Sequence, residues 1–207
     1  MARLVWFWLL SLSVLWGGSF FFAKVAIGGF GPVTVVFGRV GLAAVALNLL
    51  LLVKGDGLFR RDTPWGAFFA MGFLNNALPF SLIFWGQMHI ASGLASILNA
   101  TTPLFTLVVA HLATADERIN PPKATALIAG LAGVAVLIGP SAFAHLNLGV
   151  WSELACLGAA LSYAFAGVYG RRFAAMGLSP LRTAAGQVTA STVLILPIML
   201  LVEPPWT

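Results

Sequence analysis

Residues 63–115 read TPWGAFFAMGFLNNALPFSLIFWGQMHIASGLASILNATTPLFTLVVAHLATA and contain no Asp, Glu, Lys or Arg. A membrane-spanning helix needs about 20 predominantly apolar residues, so this run is long enough for two crossings. The rest of the chain repeats the pattern on either side. Of 207 residues, 60% are hydrophobic and 8% charged, against roughly 25% charged in a soluble domain. That is too little charge to cover a water-facing surface. The chain reads as an all-α membrane protein, a polytopic bundle of about seven transmembrane helices whose main partner is the lipid bilayer.

The expected helices are 4–27, 33–53, 65–87, 91–113, 124–141, 150–170 and 181–202. Gly28-Gly29-Phe30-Gly31-Pro32, Lys54-Gly55-Asp56-Gly57 and Asn120-Pro121-Pro122 punctuate them, because Gly frees φ and Pro fixes it. The first apolar stretch, from Leu4 to Ala23, exceeds a signal-peptide core of about 7–15 residues, so a retained helix is expected. The net charge is +5, but the basic residues sit in short loops. Arg3 precedes the first helix. Lys54, Arg60 and Arg61 follow the second, Arg118 and Lys123 the fourth, and Arg171, Arg172 and Arg182 the sixth. The alternate loops hold His89 and His145, with Lys24 near the end of the first helix. This alternation predicts a cytoplasmic amino terminus and argues for membrane orientation rather than nucleic acid as the reason for the charge. The lone cysteine, Cys156, excludes an internal disulfide and a cysteine-based metal site. No cofactor is expected.

Small residues recur every fourth position at Gly158, Ser162, Ala166 and Gly170, and again at Ser92, Ser96 and Ala100, with Ala126 and Gly130 on the fifth helix. Such stripes let helix backbones approach closely in lipid. An offset of 148 positions carries Gly29 onto Gly177, Pro32 onto Pro180 and Gly38 onto Gly186. The two copies begin five helices apart, so the second enters the membrane from the opposite side. Inverted repeats of this kind are a recurring architecture of secondary transporters. The expected division is a first five-helix repeat over 1–141 and the first two helices of a second over 150–207, which favours a fragment of a ten-helix protein.

Polar groups inside a bilayer are costly unless partnered and mark candidate sites. Asn75-x-x-x-Pro79 and Asn99-x-x-x-Pro103 occur on consecutive helices. Each proline disrupts the bond to the carbonyl four residues earlier, which concentrates hydrogen-bonding groups beside an asparagine side chain. Asn76 and Thr102 add polar capacity. These residues either line a cavity or bond helix to helix. Arg39 lies within the second helix, placed either to snorkel to the surface or to bind a carbonyl or carboxylate. Gln187 occupies its position at the 148-residue offset. Trp16 and Tyr163 either line a pocket or pack as aromatics. The substrate-cavity candidates are therefore Asn75, Asn76, Asn99, Thr102, Arg39, Trp16, Tyr163 and Gln187. No carboxylate falls mid-helix, so no proton-coupling acid is expected in these helices.

The chain resembles the EamA-type permeases of the drug/metabolite transporter superfamily. The resemblance rests on Trp16-Gly17-Gly18-Ser19-Phe20 with Lys24, on Pro32 followed by Arg39, and on Ala91-Ser92-Gly93-Leu94-Ala95-Ser96 followed by Thr102-Pro103-Leu104-Phe105-Thr106 and Glu117. Gly130-x-x-Gly133-Val134 extends it into the fifth helix. The resemblance implies ten helices in two inverted repeats and alternating-access export of small metabolites, such as amino acids, across the bacterial inner membrane. The alternatives are a truncated membrane protein that does not transport, an intramembrane enzyme, or a receptor-like seven-helix protein. Against the enzyme, Ser92-Gly93 lacks the preceding glycine of a rhomboid-type serine, and no His-Glu-x-x-His occurs. Against a retinal receptor, 181–202 contains no lysine.

Overall fold

The computed structural model describes residues 2–139 and 147–204. Seven helices in it are long and apolar enough to cross a membrane. They are α1 (Ala2–Ala26), α2 (Pro32–Val53), α3 (Trp65–His89), α4 (Ser92–Ala113), α5 (Pro121–Ile138), α6 (Leu148–Ala175) and α7 (Pro180–Val202). The protein is an all-helical, multi-pass membrane protein. Ser141 and His145 of the sequence reading, and the last three residues of its second repeat, lie outside the described residues.

Helix starts follow local chemistry. Pro occupies the first turn of α2, α5 and α7, where its missing N–H costs nothing. Asn120, Asn147 and Ser179 cap α5, α6 and α7 by accepting from the backbone N–H of Lys123 (3.0 Å), Val150 (3.1 Å) and Arg182 (3.2 Å). α6 runs on to Ala175, past the end expected at 170, and closes at Gly177, whose φ is +69°. Leu178 N–H then reaches the Phe173 carbonyl at 3.1 Å. This is a Schellman closure, which needs a left-handed residue. Gly177→Ala is expected to destabilise the protein by about 1 kcal/mol, read as a fall in thermal midpoint in detergent.

Two helices are interrupted. α3 carries a π-helical turn over Phe73–Ala77, just before Pro79, in which Leu78 N–H bonds to the Phe73 carbonyl. α4 breaks between Asn99 and Thr102, just before Pro103. Hydroxyls of other helices take up carbonyls at the π-turn. Ser162 Oγ donates to Leu74 O at 2.7 Å, and Ser191 Oγ donates to Gly72 O at 3.0 Å.

α7 lies along α2, and α6 lies along the later parts of α3 and α4. The stripe on α6 faces α3, with Ser162 and Ala166 buried and a Cβ at Gly170 coming within 3.5 Å of Met71. The stripes on α4 and α5 do not act alike. The buried face of the first part of α4 is Ala95, Leu98 and Asn99, and on α5, which buries no residue within the described structure, Ala126 is exposed while a Cβ at Gly130 would come within 2.5 Å of the Leu104 side chain of α4.

Polar ties place the loops. Arg171 pairs with Asp116 (3.1 Å) and with Glu117, and Arg182 pairs with Asp56 (3.7 Å). These pairs gather the α2–α3, α4–α5 and α6–α7 loops at one end of the bundle, here called the basic end. Asp116, which accepts hydrogen bonds from its own backbone N–H and from Thr114 and has Arg171 beside it, is held below the usual carboxylate range. It therefore stays ionised as the pH falls toward that range. At the opposite end, Lys24 donates to the carbonyls of Gln87 and of Ile90 (3.3 Å). A lysine so near a helix end can snorkel to the surface. Instead Lys24 is half-buried and satisfies carbonyls that the end of α3 leaves open.

Candidate functional site

A cavity of about 320 Å³ lies between α1, α2, α3, α4 and α6, within the usual range for ligand sites. Trp16 and Ser19 come from α1, Arg39 from α2, Asn75, Asn76, Phe80 and Phe84 from α3, Asn99 from α4 and Tyr163 from α6. The structure thus brings six of the eight candidate residues to one space.

Each arrives there for a local reason. Leu12, Trp16 and Ser19 recur at helical spacing on one face of α1. The π-turn widens α3 so that Asn75 and Asn76 point away from the lipid side. Their amides are steadied by α7: Asn75 Nδ2 donates to Gln187 Oε1 at 3.1 Å, and Asn76 Nδ2 to Ser191 Oγ at 3.0 Å. Gln187 is therefore not on the cavity wall but one contact behind it. Thr102 does not line the cavity either. Its hydroxyl donates to Asn99 O at 2.7 Å, a carbonyl beside the α4 break. Thr101 and Thr106 turn back on their own helix in the same way, toward Leu98 and Thr102 carbonyls at 2.6 Å and 2.8 Å. This is the usual satisfaction of helical hydroxyls.

Arg39 dominates the electrostatics. Its guanidinium lies 4.4 Å from the centre of the Phe80 ring, and Nη1 donates to Ser19 Oγ at 2.6 Å. It remains accessible despite its depth in α2, and no acid pairs with it among the described residues. Opposite in character is Asn99, buried at 6% exposure, whose Oδ1 is itself buried and has no hydrogen-bond partner among the described residues. A buried acceptor without a donor costs about 1–3 kcal/mol, and the residue that carries it stands on the cavity wall. The site thus offers a cation, three asparagines and aromatic walls.

Ser19, Phe80 and Phe84 were missed by the sequence reading. Ser19 carried a signal, since it stands one helical turn beyond Trp16. Gln87 is fully buried and bridges α3 to α1 by donating to Phe20 O at 3.0 Å. Glu153 is partly exposed near the start of α6. Its Oε2 is buried early in α6 without a hydrogen-bond partner among the described residues.

Comparison with known proteins agrees with this architecture. The chain is 26% identical over 163 residues to the uncharacterized transporter YoaV of Bacillus subtilis, covering 79% of this chain and 56% of the relative. It is 28% identical over 150 residues to a probable terminal-alkyne amino-acid exporter of Streptantibioticus cattleyicolor, covering 72% and 50%. The chain spans about half the length of these curated relatives. A solved crystal structure shares the fold with a TM-score of 0.66 at 23% identity, over 93% of this chain and 65% of its own. The model of the EamA-like transporter family matches residues 3–139, a span that takes in α1 to α5 and every cavity residue except Tyr163, and the chain belongs to that family.

Proposed function

We propose that this protein is a secondary transporter of the bacterial inner membrane, with its amino terminus cytoplasmic, that exports small metabolites such as amino acids or related compounds by alternating access. The observation that carries this reading is the convergence of Arg39 with Asn75, Asn76 and Asn99 on one cavity among five helices. The gathering of the basic loops at one end supports the orientation, because such loops stay on the cytoplasmic side. The name of the Streptantibioticus relative supports the substrate class. The division into a five-helix repeat over 1–141 and the start of an inverted copy over 150–207 belongs to the same proposal.

The test is counterflow in proteoliposomes. Vesicles loaded with an unlabelled mixture of amino acids are expected to accumulate at least one labelled amino acid, and the Arg39→Ala protein is not. Equal uptake by both proteins would remove the cavity from the pathway. Neutralising Glu153 addresses coupling. If the protein is a facilitator, Glu153→Gln leaves both counterflow and accompanying proton flux as they were. Loss of proton flux with exchange retained would make Glu153 the coupling acid.

A further inference from the structure

A second, more open cavity of about 640 Å³ runs between α1 and α2, from Ala26, Phe30 and Thr34 near the opposite end down to Arg39. Ser19, Arg39 and Phe84 line this groove and the central cavity alike, so these three side chains form the partition between the two spaces. Within the partition, the 2.6 Å bond from Arg39 to Ser19 is the one hydrogen bond between α1 and α2 among the described residues. α1 is otherwise held loosely. Of its described residues only Phe20 and Ala23 are buried, and its polar ties go to α3, through Lys24 and through the Phe20 carbonyl.

We propose that the Arg39–Ser19 contact is a latch released by a ligand carboxylate. This rests on the reading of the central cavity as the substrate site. Ser19 offers the guanidinium a single neutral hydroxyl. A carboxylate offers two charged oxygens in the geometry of the guanidinium fork, which makes shorter and stronger bonds. A carboxylate entering the central cavity therefore takes Arg39 from Ser19. Phe80 stays beneath the guanidinium throughout, since it approaches from the ring face and competes for no N–H. Once Ser19 is free, α1 remains with α3 and the first part of α4 while α2 remains with α7 and the later part of α3, and the groove and the cavity join. A neutral ligand of the same shape has no fork partner to offer and leaves the latch shut. Ser19 is thus a positioning residue that sets specificity through Arg39.

The experiment places one spin label at Phe22 on α1 and one at Leu42 on α2. Both residues are exposed and line the groove, and fully buried Cys156 is replaced by alanine to remove its thiol. Benzoate is the probe and benzamide its neutral counterpart, with binding followed separately by saturation-transfer NMR. Benzoate is expected to add a distance component longer by several ångströms, as expected for a helix displacement, and benzamide is not. Ser19→Ala is expected to show the longer component without ligand, and Ser19→Thr to behave like the parent. If benzoate binds in an Arg39-dependent way but neither it nor Ser19→Ala moves the distance, the latch is overturned and the substrate site stands. If Ser19→Ala lengthens the distance but benzoate does not bind through Arg39, ligand release is overturned together with the site reading.

Discussion

Replacing Arg39 by alanine is expected to lower the transport rate of a carboxylate-bearing substrate by about 100-fold, because a hydrogen bond to a charged group contributes about 1.5–3 kcal/mol and about 1.4 kcal/mol is a factor of ten. Arg39→Lys is expected to fall between the two, since it keeps the charge but not the paired N–H geometry. Folding is a lesser concern. In this structure the guanidinium contacts one hydroxyl and one ring face, and an accessible contact of that kind contributes little to stability. Both variants should therefore insert and melt close to the parent. Initial rates of counterflow, normalised to protein in the vesicles, decide the matter. Parental rates in both variants would show that the cation serves structure and not substrate.

The largest effect on stability is expected from added methyl groups on α3. A Cβ at Gly72 would lie 2.7 Å from the Gln187 carbonyl oxygen of α7, and one at Gly86 would lie 2.9 Å from the Ser152 carbonyl oxygen of α6. The obstacle in each case is backbone, which no rotamer change removes. Overpacking of this kind costs about 1–3 kcal/mol. Gly72→Ala and Gly86→Ala are thus expected to lower the thermal midpoint clearly, and Gly72→Ala also to disturb Asn75 and Asn76 one turn away. Gly130 on α5 is the control. A Cβ there meets the side chain of Leu104, so Gly130→Ala should be milder and Leu104→Ala should relieve it. Equal midpoints for all three glycine variants would mean that α3 does not pack as described.

Much of this arrangement was legible in the sequence because lipid imposes a simple rule. The charge-free run from Thr63 to Ala115 could only be two crossings, and the basic loops fixed which ends lie together. Asn75, Asn99 and Arg39 stood out because polar groups in an apolar helix need a reason. What the sequence did not tell was where each polar group finds its partner. Thr102 and Asn99 sit within one turn of each other, yet one satisfies a carbonyl and the other keeps a free oxygen. That outcome depends on the break at Pro103 and on rotamers, which spacing does not encode. Lys24 and Glu203 both looked like residues at open helix ends, and both meet backbone groups of another helix. Contacts between segments distant in the chain leave no local periodicity to read.

The pairing of α2 with α7 has a mechanical consequence. At one end Glu203 accepts from the backbone N–H groups of Val33 (3.1 Å) and Thr34 (2.8 Å), a carboxylate at a helix N-terminus where the dipole favours it. At the other, Asp56 meets Arg182 at 3.7 Å. Between them, nearer the Asp56 end, Asn48 Nδ2 donates to Thr189 Oγ1 at 2.9 Å. A slide of one helical turn, about 5.4 Å, would break all three at once, so these contacts resist shear between the two helices. Thr34 and Arg182 also stand 148 positions apart, the offset that relates Pro32 to Pro180. Within the described residues the α2–α7 pair is thus fastened at both ends and in between, and relative movement in the bundle is left to helices less firmly tied to it.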